Sequence, residues 1–193
     1  MKQRVIFILT TLLLCMGAKG QTVALIDGLK YNIYTESYAT LMPNNYKEEN
    51  IVIPGSVTYG GKNYSVTRID DKCFSECERL KSVTIPSSVT SLGLYSFSGC
   101  TGLTSIDIPA SVTRLEYGCF EKCNGLTNIN IPSSVTSLPT NCFSGCKSLT
   151  SIDIPSSVTY LGLGCFSYCT RLENIEIPSS VRWLEVGCFY DCI

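Results

Sequence analysis

The chain repeats itself at a fixed 23-residue step, and that periodicity restricts it to very few folds. Ile-Pro recurs at Ile85-Pro86, Ile108-Pro109, Ile131-Pro132, Ile154-Pro155 and Ile177-Pro178. Three further columns keep the step. They are Val89, Val112, Val135, Val158 and Val181; Leu92, Leu115, Leu138, Leu161 and Leu184; and Phe97, Phe120, Phe143, Phe166 and Phe189. A period of this length belongs to a solenoid, in which one repeat cannot bury its apolar side alone and stacks on its neighbours. Such an architecture favours a binding surface over a catalytic pocket.

One repeat, residues 103–125, predicts one coil. Leu103, Ile106 and Ile108 alternate with Ser105 and Asp107, the period-2 pattern of a short strand with one buried face. Pro109 cannot donate a ladder hydrogen bond and ends that strand. Val112 and Leu115 turn inward. Cys119, Phe120 and Cys123 form the return, with a spacing that suits a single helical or 3₁₀ turn. The expected fold is a repeat solenoid. A short parallel sheet lies on one face, turns and 3₁₀ or short helical turns on the other, and a β-hairpin-like cap at the N-terminus. Each stacked apolar side chain contributes roughly 1.5–3 kcal/mol when fully buried.

Three segments follow. Residues 1–20 read as a signal peptide: Lys2 and Arg4, an apolar run from Val5 to Met16, and Ala18-Lys19-Gly20 before a cleavage point at Gln21. A lipoprotein signal at Cys15 is a weaker reading, because Leu14 stands where a small residue is needed. Residues 21–65 read as a cap and entry hairpin. Tyr31, Ile33, Tyr34 and Tyr38 suggest strands, and Gly60-Gly61 a tight turn. Residues 66–193 read as about five complete rungs and an incomplete sixth, which ends before its Leu and strand. That ending reads as a fragment, or as a bare last layer.

Composition narrows the function. The chain has no His, which removes the commonest general base and metal ligand. Loss of Lys2, Arg4 and Lys19 takes the formal charge from −1 to −4, since residues 1–20 hold no acid. Without a basic stripe, neither nucleic acid nor an anionic membrane is an expected partner. No later segment is apolar and long enough for a transmembrane helix. No catalytic residue, cofactor or metal site is assigned.

The combined pattern Leu-x-x-Ile-x-Ile-Pro-x-Ser-Val-Thr-x-Leu-x-x-x-Cys-Phe-x-x-Cys-x-x-Leu resembles the leucine-rich repeats of BspA-like surface proteins over residues 51–192. The entry segment, with Val57-Thr58-Tyr59 and Tyr64-Ser65-Val66-Thr67, is also similar to that family's. One departure stands out. The residue before Phe, commonly Ala in the family, is Cys at Cys73, Cys119, Cys142, Cys165 and Cys188, and Ser at Ser96. The resemblance implies an exported or cell-surface protein of host-associated bacteria. Adhesion to host matrix proteins or other cells is known for some members. It carries no catalytic motif.

Of twelve cysteines, eleven follow the leader. They form two columns, the one before Phe and a second at Cys77, Cys100, Cys123, Cys146, Cys169 and Cys192. A bridge within a rung spans about 6 Å on a helical turn but aims its Cβ atoms poorly. Ser96 would also leave Cys100 unpaired. The favoured reading is a ladder of buried thiols packing as small apolar groups. Bridges and a metal site are weaker alternatives, since a column does not converge four thiolates on one point.

Two variable columns are left for a ligand. The outer sheet face carries Asp107, Asn130, Asp153 and Glu176, whose plainer reading is a solvated surface. A rim column runs Ser91, Arg114, Ser137, Tyr160, Trp183, and places two aromatic side chains on adjacent rungs. Exposed aromatics favour interfaces and also stack on sugars. The plainer reading there is that a loop or further rung covers Trp183. The expected partner is an extracellular protein or glycan. The rival function is a spacer module of a larger surface protein, with no ligand of its own.

Overall fold

The computed structural model describes residues 21–192; the leader-like residues 1–20 lie outside the described residues. The elements are all strands. Residues 21–69 hold β1 (Gln21–Ile26), β2 (Leu29–Tyr34), β3 (Tyr38–Leu41), β4 (Asn50–Val52), β5 (Ser56–Tyr59) and β6 (Lys62–Ile69). Each later rung holds two short strands. In order these are β7 (Ser82–Thr84), β8 (Ser91–Leu92), β9 (Ser105–Asp107), β10 (Arg114–Leu115), β11 (Asn128–Asn130), β12 (Ser137–Leu138), β13 (Ser151–Asp153), β14 (Tyr160–Leu161), β15 (Asn174–Glu176) and β16 (Trp183–Leu184).

The periodic columns are the core. Val112, Val135, Val158, Leu92, Leu138, Leu161, Phe97, Phe120, Phe143 and Phe166 are fully buried. The phenylalanines form one continuous stack, with centroids 5.1–5.6 Å apart from Phe74 to Phe189. Tyr46 of the cap begins it, 5.2 Å from Phe74. The hairpin-like cap is present as expected. β1 and β2 pair antiparallel, β5 and β6 do so across Gly60-Gly61, and β3 joins β6 in parallel.

The sheet departs from expectation in two ways. There are two parallel ladders rather than one, because Ser91–Leu92 and its equivalents also pair in register. Both are interrupted. The first exists as β4–β7, β9–β11 and β13–β15, the second as β6–β8–β10 and β12–β14–β16. Between the two ladders, Ile-Pro-x-Ser-Val is a β-turn: the Val amide donates to the Pro carbonyl at 2.9–3.0 Å in Val89, Val112, Val135, Val158 and Val181. The Ser hydroxyls then tie rung to rung. Ser111, Ser134, Ser157 and Ser180 each donate to the Val carbonyl 22 residues earlier, at 2.6–2.8 Å.

The return side is the continuous backbone seam. Phe74, Phe97, Phe120, Phe143 and Phe166 donate their amides to the next rung at 2.8–2.9 Å. Alternate residues keep the i→i−3 bonds expected of a 3₁₀ turn, such as Cys119 to Glu116 and Cys123 to Phe120, both 3.2 Å. The chain does not continue as a helix, because two positions per rung are left-handed. Gly118, Gly164 and Gly187 mark one column and Gly99 and Gly145 the other, all at positive φ. Lys72, Glu76, Tyr95, Lys122, Tyr168 and Asp191 take the same conformation at φ 53–60°. Gly118 has a second reason to lack a side chain, since a Cβ there would lie 2.5 Å from the Tyr95 ring.

Candidate functional site

With the fixed columns turned inward in every rung before the last, chemistry is left to the variable ones. The seven sequence candidates fall on two separate strips. Asp107, Asn130, Asp153 and Glu176 point outward from the first ladder and are exposed. Asn130 sits in register with Asp107, and Glu176 with Asp153. A shallow hollow of about 360 Å³ over the last two rungs has Asp153 and Glu176 on its wall, with Ser151, Asn174 and Ile177. It is open and polar, with nothing in it to separate the two carboxylates into acid and base.

Arg114, Tyr160 and Trp183 lie on the second ladder. Arg114 is engaged with Glu116 at 2.6 Å, and Arg68 reaches the same carboxylate at 4.0 Å while binding Asp71 at 2.6 Å. This end of the strip is a solvated ion-pair network, worth little to stability. The other end is aromatic. Tyr160 and Trp183 are register partners on adjacent rungs. Tyr160 is half-buried, while Trp183 is 60% exposed. Desolvation, and then the nearby Glu185 carboxylate, raises the Tyr160 phenol above its usual range. Gly162, directly after β14, packs against the preceding rung: a Cβ there would strike the Pro139–Thr140 backbone.

Sequence reasoning passed over the column two residues after the core Leu. It holds Asp71, Leu94, Tyr117, Thr140, Leu163 and Val186. Leu94 is 39% exposed and Leu163 50%, so this column also carries exposed apolar side chains within the stack. The signal was available, because this column varies as freely as the rim column.

Residues 67–193 match, in six copies, the family described as BspA type leucine-rich repeat region. The chain belongs to that family. Solved structures are similar to it in fold. A leucine-rich repeat protein of T. pallidum is similar at 29% identity, with a TM-score of 0.71, over 78% of this chain and 69% of that one. A leucine-rich repeat protein from Bacteroides capillosus shares the fold at 22% identity and TM-score 0.53, over 79% of this chain and 96% of that one. The pneumococcal vaccine antigen PcpA does so at 20% identity and TM-score 0.65, over 84% of this chain and 51% of that one. No curated protein matches the sequence significantly.

Within the BspA-type core, all eleven described cysteines are free thiols. The second column does more than fill space. Cys100, Cys123, Cys146, Cys169 and Cys192 donate their Sγ–H to the Phe carbonyl 26 residues earlier, at 2.9–3.2 Å. In the first column, Ser96 Oγ and Cys119 Sγ lie 3.2 Å apart, so Ser and Cys share a small, weakly polar niche. Burial raises the thiols above their ordinary value, Cys119 and Cys169 to about 12. The exception is Cys188, held lower by a hydrogen bond from Cys165. Among the described residues, no helix is long and apolar enough to cross a membrane.

Proposed function

We propose that this BspA-type chain is exported by its leader-like residues 1–20 and binds an extracellular protein or glycan at or outside the cell surface, in an adhesive role. Trp183 carries the reading. It is a large aromatic side chain in register with Tyr160, in a column whose interior members Arg114 and Ser137 are also exposed. Tyr160 beside it and the exposed Leu163 supply apolar contact area of the kind interfaces use. Arg114 adds a polar group on the same strip, and Asp107, Asn130, Asp153 and Glu176 add a separate exposed polar strip on the first ladder. Contacts repeated over several rungs add as in a multivalent ligand. No cofactor and no catalytic residue takes part.

The test is a binding screen of the protein against immobilised host matrix proteins and glycans. Tyr160→Ala and Trp183→Ala are each expected to weaken a binder about tenfold, the cost of an aromatic anchor. A ligand whose affinity neither change alters would remove the rim from the site. The absence of any ligand across both panels would leave the spacer role.

A further inference from the structure

We infer that the rim strip is a stacking platform for an extended β-linked glycan lying along the solenoid axis, one sugar per rung. This rests on the reading of the rim as the contact surface. Arg114, Ser137, Tyr160 and Trp183 stand on successive rungs, 23 residues apart. Neighbouring parallel strands are separated by ~4.8 Å. That is close to the advance per pyranose in a flat, extended β-1,4-linked chain, so successive sugars meet successive rungs without bending. A compact or folded ligand gains nothing from this register.

The side-chain chemistry follows the same order. Trp183 and Tyr160 offer aromatic surface to the C–H face of a sugar ring. Ser137, exposed on the next rung, and Arg114 beyond it offer hydroxyl and guanidinium groups to sugar hydroxyls. Arg182 and Glu185, both exposed, flank Trp183 in sequence with one donor and one acceptor. Their charges cancel, which suits a neutral glycan. With two aromatic and two polar positions, each rung contributes weakly and affinity builds with length.

The experiment is calorimetry of the protein with cellobiose, cellotetraose and cellohexaose, and with the chitin oligomers of equal length. Trp183 is the sole tryptophan, so its emission reports occupancy directly. The tetrasaccharide is expected to bind about tenfold tighter than the disaccharide, with little gained at the hexasaccharide. Trp183→Ala is expected to lose about tenfold in affinity while melting as the parent does. Tyr190→Ala, on the return side, should bind as the parent does. Affinity that does not grow from disaccharide to tetrasaccharide overturns one sugar per rung. If no hexasaccharide binds while a protein ligand depends on Trp183 and Tyr160, the glycan inference falls and the rim reading stands. If hexasaccharides bind but neither Trp183→Ala nor Tyr160→Ala weakens them, both fall.

Discussion

Phe120→Ala is expected to lower the unfolding free energy by about 3–5 kcal/mol, measured by urea denaturation. The ring is fully buried, between Phe97 at 5.4 Å and Phe143 at 5.6 Å. Truncation removes both ring contacts and leaves a void on the solenoid axis. The walls cannot close on it, because the return-side hydrogen bonds from Phe97 to Cys119 and from Phe120 to Cys142, 2.8 and 2.9 Å long, fix the rung spacing. A solenoid also passes stability only between neighbours, so a weakened middle rung uncouples the two halves. Phe189→Ala is the contrast. That ring is only partly buried and its stack has one partner, Phe166, so the cost should be clearly smaller. A Phe120→Ala loss below about 1 kcal/mol, the size of an ordinary surface change, would contradict the stack as the organising core.

The second large effect concerns the thiols. In native protein at neutral pH, a thiol reagent should modify Cys77 and Cys192, which are half-buried, and leave the nine buried thiols untouched. All eleven should react in denaturant under non-reducing conditions. Steric cover is one cause and charge the other. Raising Cys119 and Cys169 from 9.0 to about 12 cuts their thiolate about a thousandfold. The sign of the pH dependence follows. The folded state holds these protons more tightly than the unfolded chain, so their contribution is complete below about pH 9. It declines as pH rises from there toward about 12. Near-zero free thiol in denaturant would mean disulfides, and would overturn the ladder.

Much of the core was legible, because each column repeats one residue type and solvent exclusion is a property of single positions. Val112, Leu115, Phe120 and Leu126 all turn inward as the period-2 and return-side patterns required. The second ladder was hidden, since a two-residue strand such as Tyr160–Leu161 is too short to show alternation. The left-handed return was half-visible. Gly99, Gly118, Gly145, Gly164 and Gly187 sit at the positions that demand positive φ, but Tyr95, Lys122 and Tyr168 in the same columns masked the rule. The thiol bonds were beyond reach. They depend on a Phe carbonyl 26 residues away, a distance set only once the coil has closed. On the surface, the rim column identified Tyr160 and Trp183, whereas Leu94 and Leu163 needed the closed coil to show that their column carries exposed apolar side chains.

The division between fixed core columns and a functional rim stands or falls on Trp183. Acrylamide quenching of its fluorescence tests this directly, because no other tryptophan contributes. Red-shifted emission, quenched nearly as efficiently as a free indole in water, is the predicted result for the unliganded protein. A blue-shifted emission that resists quenching would show the side chain covered, and would contradict the rim as a binding surface.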